Sequence, residues 1–310
     1  TFYILMKKKI VIQIPCLNEE STIGKVIKDL KKSLSNVEII VYDNSSTDNT
    51  IKEAKKHGAK VFLEKKKGKG NVVKRMFSDN LDANIYVMLD GDDTYDTSKI
   101  KQSIDTFHEE KYDMLVAKRV HSNPTAYRRG HVIGNQMFSR FVNFIFGNDI
   151  SDIFSGYRIF SKRFIKTFPQ NSKEFEVEAE LTIHALEQGF KVGEFECLYK
   201  PRPEGSISKL STFKDGIKIL RLILILIKDE KPLLFFSILS IFFMLSSLSV
   251  GIPIIKEFYL TGLVERLPSA ILAGLFSVIS FLSFFCGLIL DVMKKIRFEN
   301  KKMNYLLFKD

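Results

Sequence analysis

The 310-residue chain carries 47 Lys and Arg against 36 Asp and Glu, a formal charge of +11. It is long enough for one large or two modest domains, and its basicity points to an anionic partner: nucleic acid, anionic lipid or a phosphorylated substrate. Three well-separated cysteines, Cys16, Cys197 and Cys286, exclude a disulfide framework or a CxxC metal pair and fit a reducing compartment.

The opening TFYILMKKKIVIQIP does not read as a secretory signal, since its apolar patch is short and its lysines follow it. Met6 reads as a natural start, and the first six residues carry no functional weight. From there strand and helix signals alternate. A β-branched run at 10–14 is ended by Pro15, and a helix follows from Ser21 with Ile23, Ile27, Leu30 and Leu34 at helical spacing. Then come a strand at 37–43, a helix at 47–57 stopped by Gly58, and a short strand at 59–63. A strand at 84–90, a helix at 98–110 and a strand at 113–119 complete the series. This order predicts a doubly wound α/β sheet with largely parallel strands. Ligands bind such sheets at the carboxyl ends of the strands, which is where PCLNEE, DNSSTDNT and DGDD all fall.

The last third differs. Segments 233–255 and 269–290 contain no charged residue, and each exceeds the roughly 20 residues that span a bilayer. Lys228 and Lys231 precede them, and Lys294, Lys295, Arg297, Lys301 and Lys302 follow. The positive-inside rule then predicts a transmembrane hairpin with both flanks, and the catalytic part, in the cytoplasm. Ahead of it, Lys214, Lys218, Arg221 and Lys228 fall within an arc of about 80° on one helix face. That suits an amphipathic helix lying at the membrane surface, the alternative being an ordinary helix packed on a domain.

Each polar motif has a plain reading beside a chemical one. Asp90 and Asp92 are two carboxylates at i and i+2 after a strand, a hard-oxygen pair suited to Mg²⁺ or Mn²⁺, although Asp-Gly pairs are common in turns. Asp93 and Asp96 read as solvated or capping residues. Asp43 stands at a strand tip and can accept hydrogen bonds from a base or ribose, whereas Asn18, Glu19 and Glu20 can equally begin a helix. KKKGKGNVV at 65–73 lacks the P-loop spacing, but Lys69 at a helix N-terminus favours a diphosphate. Lys118, Arg119, Arg128, Arg129, Arg158 and Lys209 are each ordinary surface charges alone, and together a cationic pocket. No nucleic-acid-binding signature is present, so nucleic acid is set aside as the partner.

PCLNEE, YDNSSTDNT, GKGNVV and LDGDDTYD, in that order on βα loops, resemble glycosyltransferase family 2 proteins with the GT-A fold. AKR, DIFSGYR, EFEVEAEL and PEGSISKLSTFKDG, followed by two membrane segments, resemble its polyprenyl-phosphate branch, which acts on dolichol or undecaprenyl phosphate. The resemblance implies a GT-A (Rossmann-like) catalytic domain over 7–210, an amphipathic interfacial helix at 211–230, a transmembrane hairpin at 231–292 and a basic tail at 293–310. It implies Pro15, Asn18, Glu20 and Asp43 around the base and ribose, and Asp90 and Asp92 on a divalent cation. Arg119, Arg128, Arg158 and Lys209 become candidates for phosphate groups, and Glu176, Glu178 and Glu180 for the wall of the sugar pocket.

The implied partners are a nucleotide sugar, a polyprenyl phosphate and the membrane, with a homo-oligomer left open. Thr94 stands where mannose synthases of the branch often carry Gln, which puts a third side-chain ligand in doubt. The chain has no Trp, so the QxxRW motif of processive synthases is absent and transfer of a single sugar, with inversion, is expected. A hydroxyl acceptor served by a carboxylate base, or an inactive membrane scaffold, are the alternatives.

Overall fold

The computed structural model describes residues 9–35, 37–79, 82–121, 129–147, 149–168, 177–201, 221 and 223–307. The strands are β1 (Ile10–Cys16), β2 (Glu38–Asp43), β3 (Lys60–Leu63), β4 (Ile85–Met88), β5 (Met114–His121), β6 (Arg158–Ser161) and β7 (Val192–Tyr199). Among the described residues they form one sheet in the order β3-β2-β1-β4-β6-β5-β7. The helices between them are α1 (Ile23–Ser33), α2 (Thr50–Lys56), α3 (Lys69–Ser78), α4 (Ile100–Glu109), α5 (Arg129–Phe146), α6 (Lys162–Thr167) and α7 (Val177–Glu187).

The β-branched runs of β1 and β2 are buried on both faces, as parallel strands under two helical layers must be. Ile12 and Ile14 pack toward Ile23, Ile27 and Leu30 of α1 and Ile104 of α4. On the opposite face Val11, Ile40 and Tyr42 meet Val72, Val73 and Met76 of α3. Phe77, Phe160, Phe164 and Phe168 form a ring cluster there, with Phe160 stacked 4.7 Å from Phe164 and edge-on to Phe77 at 5.4 Å.

Two features depart from the expected layout. β6 runs antiparallel to both β4 and β5, so the sheet is mixed; its four residues are too short to show a period beside the basic motif they belong to. α2 begins at Thr50, because the preceding residues are tied down by side chains. Asp43 Oδ2 accepts from the Ser46 N–H (2.9 Å), and Asp48 Oδ1 accepts from the Thr50 N–H (3.0 Å).

The order reverses between β1, whose next neighbour is β2, and β4. The β1–β4 ladder ends at Gln13 and Met88, with the Leu89 N–H donating to Gln13 O. Two residues on, the same edge of β1 presents Pro15, which has no N–H. The chain past Met88 therefore leaves the sheet and opens a crevice at the strands' carboxyl ends.

The described residues divide into two compact units. The second carries α8 (Pro232–Thr261) and most of α9 (Leu267–Leu307). α8 starts with Pro at its first position, where a missing N–H is harmless. Each helix is longer than its apolar core, and α9 continues through the basic residues that follow its uncharged stretch. Ser247 donates to Ala273 O (2.8 Å) and meets Ser277 (3.1 Å), while Ser280 donates to Ser240 O (2.8 Å). Small hydroxyls satisfying one another let two helices approach closely. At the hairpin's end, buried Glu230 is held by Arg297 (2.8 Å) and Lys294 (3.3 Å). Of the expected surface helix, Arg221 and 223–230 are helical; Lys214 and Lys218 lie outside the described residues.

Replacing Phe160 by Ala removes the ring at the centre of the aromatic cluster. It is expected to lower unfolding stability by about 3–5 kcal/mol, measured by denaturant unfolding of the purified protein.

Candidate active site

Four polar loops meet at the crevice. The first two, after β1 and β2, are bound to each other: the Asn18 N–H donates to Ser46 Oγ (2.9 Å), and Asn18 Oδ1 accepts from the Thr47 N–H (2.8 Å). Glu20 Oε2 likewise accepts from the Asn49 N–H (2.8 Å) and side chain (3.1 Å). Asn18 and Glu20, expected at a ligand, thus have their side chains turned onto loop 46–49. Asn44 joins the third loop, its side chain donating to Glu64 O and Lys66 O and accepting from the Gly68 N–H (2.7 Å). The fourth loop is seated by Thr22, whose hydroxyl donates to Gly91 O (2.7 Å). A Cβ at position 91 would fall 2.6 Å from Cys16 Sγ, so glycine lets Asp90 and Asp92 sit this close to β1.

Within this frame Asp43 is fully buried, and its Oδ1 has no hydrogen-bond partner among the described residues. Buried carboxylate oxygens are normally satisfied, so this one is suited to a ligand N–H or O–H. Pro15 is buried beside it in the β1–β2 ladder, paired with Tyr42. Asp92 is buried, and its Oδ1 accepts from the Thr94 hydroxyl (2.6 Å). Asp90 accepts from Lys69 Nζ (2.6 Å), and the same ammonium lies 2.6 Å from Glu178 Oε1. Burial alone would lower the Lys69 pKa, but Asp90 and Glu178 outweigh it and hold the value well above the ordinary range. Gly156 closes the other side of Asp90: a Cβ there would fall 2.1 Å from Oδ2.

Asp93 and Asp96, expected to be solvated or capping, are both engaged by neighbouring groups. Asp93 pairs with Lys25, and Asp96 accepts from the Ser98 N–H and hydroxyl, both at 3.0 Å.

The electrostatics of the crevice run against the charge of the whole chain. The buried Cys16 thiol is pushed up first by burial and then by Glu19, Asp43, Asp90 and Asp92. A crevice this acidic attracts a cation. Asp90 and Asp92 supply hard oxygens fit for a divalent ion. No cluster of three or more His, Cys, Asp or Glu suited to a metal occurs among the described residues. An ion there would complete its shell with water and the oxygens of a bound anion, the usual Mg²⁺ arrangement.

The cationic set is dispersed. Because β6 is antiparallel, the end of β5 returns to the same sheet edge and brings Arg119 with it. Its guanidinium grips Asp152 through two bonds of 2.7 Å and lies 5.5 Å from the centre of the Tyr199 ring. Arg158 does not open to a ligand. It is fully buried, donating to Ser155 O (2.9 Å), Thr182 Oγ1 (2.9 Å) and Ile153 O. Burial lowers its pKa to about 10, which leaves it charged at neutral pH. A strand residue facing the interior must satisfy its donors there, and Arg158 fixes the 153–155 turn instead. Arg128, Lys209 and Glu176 lie outside the described residues.

Sequence reasoning missed Asp152, Gly156 and Tyr199 as site-forming residues. Asp152 and Gly156 stand inside the DIFSGYR motif, of which only the arginine offers itself as a phosphate ligand. Tyr199 carries no local signal. Glu178 was visible, but its partner Lys69 is 109 positions away.

Residues 11–168 match the family model of glycosyl transferase family 2. Glycosyltransferase AglJ of Haloferax volcanii is 29% identical over 296 residues, covering 94% of this chain and 96% of that protein. Dolichyl-phosphate hexose transferase of the same organism is 26% identical over 202 residues, covering 65% and 86%. Glucosyl-3-phosphoglycerate synthase of Mycobacterium tuberculosis, in a crystal structure with Mn²⁺, UDP and phosphoglyceric acid, superposes with a TM-score of 0.55 at 18% identity, covering 72% of this chain and 78% of that one. The shared fold makes the sheet GT-A-like.

Burial opposes the charge of Asp152, but its bonds to Arg119 prevail and hold its pKa below the ordinary carboxylate range. A depressed folded value stabilises above the unfolded pKa of about 3.9 and is lost as pH falls through the folded value. Asp152→Asn is therefore expected to lower the unfolding midpoint at neutral pH. Melting curves across pH should show the difference shrinking under strongly acidic conditions.

Proposed function

Because the chain belongs to glycosyl transferase family 2, we propose that it transfers one sugar from a nucleotide-sugar donor to a membrane polyprenyl phosphate, with inversion at the anomeric carbon. The observation that carries this reading is the acidic Asp90–Asp92 pair at the open end of a GT-A-like sheet, in a chain that ends in two long apolar helices. A solved structure with this fold was crystallised with Mn²⁺ and UDP, and one sequence relative is a dolichyl-phosphate hexose transferase.

The apolar helices support a lipid acceptor. Two helices among the described residues are long and apolar enough to cross a bilayer, and only 6% and 22% of their most apolar windows are buried. A soluble core helix would bury that surface; here Phe242, Leu245, Phe281 and Phe285 stay exposed. Lysines and arginines flank the open end of the hairpin, and by the positive-inside rule this supports both ends lying on the cytoplasmic side.

The residues divide the work. Asp43, with its unpartnered buried oxygen, accepts a hydrogen bond from the base or ribose, and Pro15 walls that pocket. Asn18 and Glu20 position the loop that carries it. Asp90 and Asp92 would hold Mg²⁺ or Mn²⁺, which would supply positive charge for a diphosphate leaving group. Lys69, at the N-terminus of α3, adds a cation to the same phosphates. Arg119, with Arg128 and Lys209, receives the acceptor phosphate, while Arg158 supports the turn beneath. A phosphate oxygen is already anionic at neutral pH, so the acceptor needs no general base. Glu178, ion-paired with Lys69, is not assigned that role. The protein's task is to hold that oxygen behind the anomeric carbon.

Membranes containing the protein, given labelled UDP- and GDP-sugars, Mn²⁺ and dolichyl or undecaprenyl phosphate, are expected to yield a labelled lipid-linked monosaccharide. Asp92→Asn should reduce turnover by at least about 10²-fold, the scale of losing one transition-state electrostatic contact. A product formed only on hydroxyl acceptors would reject the lipid-phosphate reading, and unchanged activity in Asp92→Asn would reject the metal role.

A further inference from the structure

Lys69 is placed where two demands conflict. Its ammonium lies 2.6 Å from Asp90 Oδ1 and 2.6 Å from Glu178 Oε1, yet Asp90 is one of the two carboxylates assigned to the divalent ion. An ammonium and a metal ion cannot share one carboxylate oxygen without strong repulsion at this range. Glu178 is enclosed, in the first turn of α7, with its side chain 8% exposed. Lys69 itself is 36% exposed, on a helix start flanked by Gly68 and Gly70. Gly68 has φ +115°, and around Gly70 there is open space. The Lys69 side chain thus reaches the open crevice, whereas that of Glu178 is enclosed.

We propose that Lys69 is a placeholder cation for the metal site. Without donor it bridges Asp90 and Glu178, offsetting one of their two charges. When the donor binds it releases Asp90 to the divalent ion, stays anchored on Glu178 and turns toward the diphosphate. The diphosphate supplies oxygens for both cations at once, so metal and nucleotide bind cooperatively and metal alone binds weakly. Glu178 is then a positioning residue that acts through Lys69. This inference rests on the metal reading of Asp90 and Asp92.

The test is a Mn²⁺ titration of the purified full chain in detergent. Free Mn²⁺ is followed by electron paramagnetic resonance, without nucleotide and with UDP or GDP. In the wild-type protein, nucleotide is expected to tighten Mn²⁺ binding on the order of tenfold or more, within the usual range of site-to-site coupling. Lys69→Met should bind Mn²⁺ alone about tenfold tighter than wild type and lose a similar factor of the nucleotide's enhancement, since the ammonium that nucleotide would displace from Asp90 is already gone. The double variant Lys69→Met/Glu178→Gln also removes the enclosed Glu178 charge that Lys69→Met alone would leave without its cation, and it should behave the same, which separates the effect from a folding defect.

Mn²⁺ binding to both variants no tighter than to wild type, with Asp92→Asn abolishing it, would overturn the placeholder and leave the metal site standing. Wild-type binding retained in Asp92→Asn, or none with either nucleotide, would reject the metal site and this inference with it.

Discussion

Pro15 has no N–H to offer its neighbour, and the ladder between β1 and β4 stops two residues earlier, at Gln13 and Met88. The position of the DGDD loop follows from that ending. The chain past Met88 is released from the sheet at the point where strand order reverses, and the DGDD loop turns into the gap. Gly91 lets it lie against Cys16, Thr22 ties it to the first loop, and Gly156 leaves room for the Asp90 carboxylate. The same sheet that buries Ile12 and Ile14 thus delivers Asp90 and Asp92 to its edge.

The second consequence is electrostatic. Glu19, Asp43, Asp90 and Asp92 gather around one buried thiol, an arrangement that is tolerable only where compensating cations are near. Lys69 provides one by joining Asp90 to Glu178, and Arg119 and Asp152 form a separate bidentate pair along the edge. Such pairs add little net stability when buried, but breaking one leaves an uncompensated charge. Their value lies in placing cations at defined points around an acidic crevice.

In the second unit polar groups are also matched, by other means. Ser240, Ser247, Ser277 and Ser280 bond across the two helices, and Glu230 gathers Lys294 and Arg297 at the open end. The outer faces remain apolar. Polar matching inside and apolar surface outside is the distribution that a bilayer, not water, favours.

The sequence by itself determined the alternating α/β layout, the five strands from β1 to β5, the polar loops after β1, β2 and β4, and the two apolar helices. Each of these depends on local pattern: β-branched runs, helical spacing, or long uncharged stretches. It also singled out Asp43, Asp90 and Asp92, since a carboxylate just past a strand end is a local signal. Only the tertiary structure decided which polar groups face one another. It turned Asn18 and Glu20 onto a neighbouring loop, enclosed Arg158, and paired Lys69 with Glu178 and Arg119 with Asp152 across 109 and 33 positions. It also inserted β6 antiparallel between β4 and β5. Hydrogen bonds and ion pairs form between groups that the folded chain brings within about 3 Å, and distances of that kind are set by how sheet and helices pack, which no local period records.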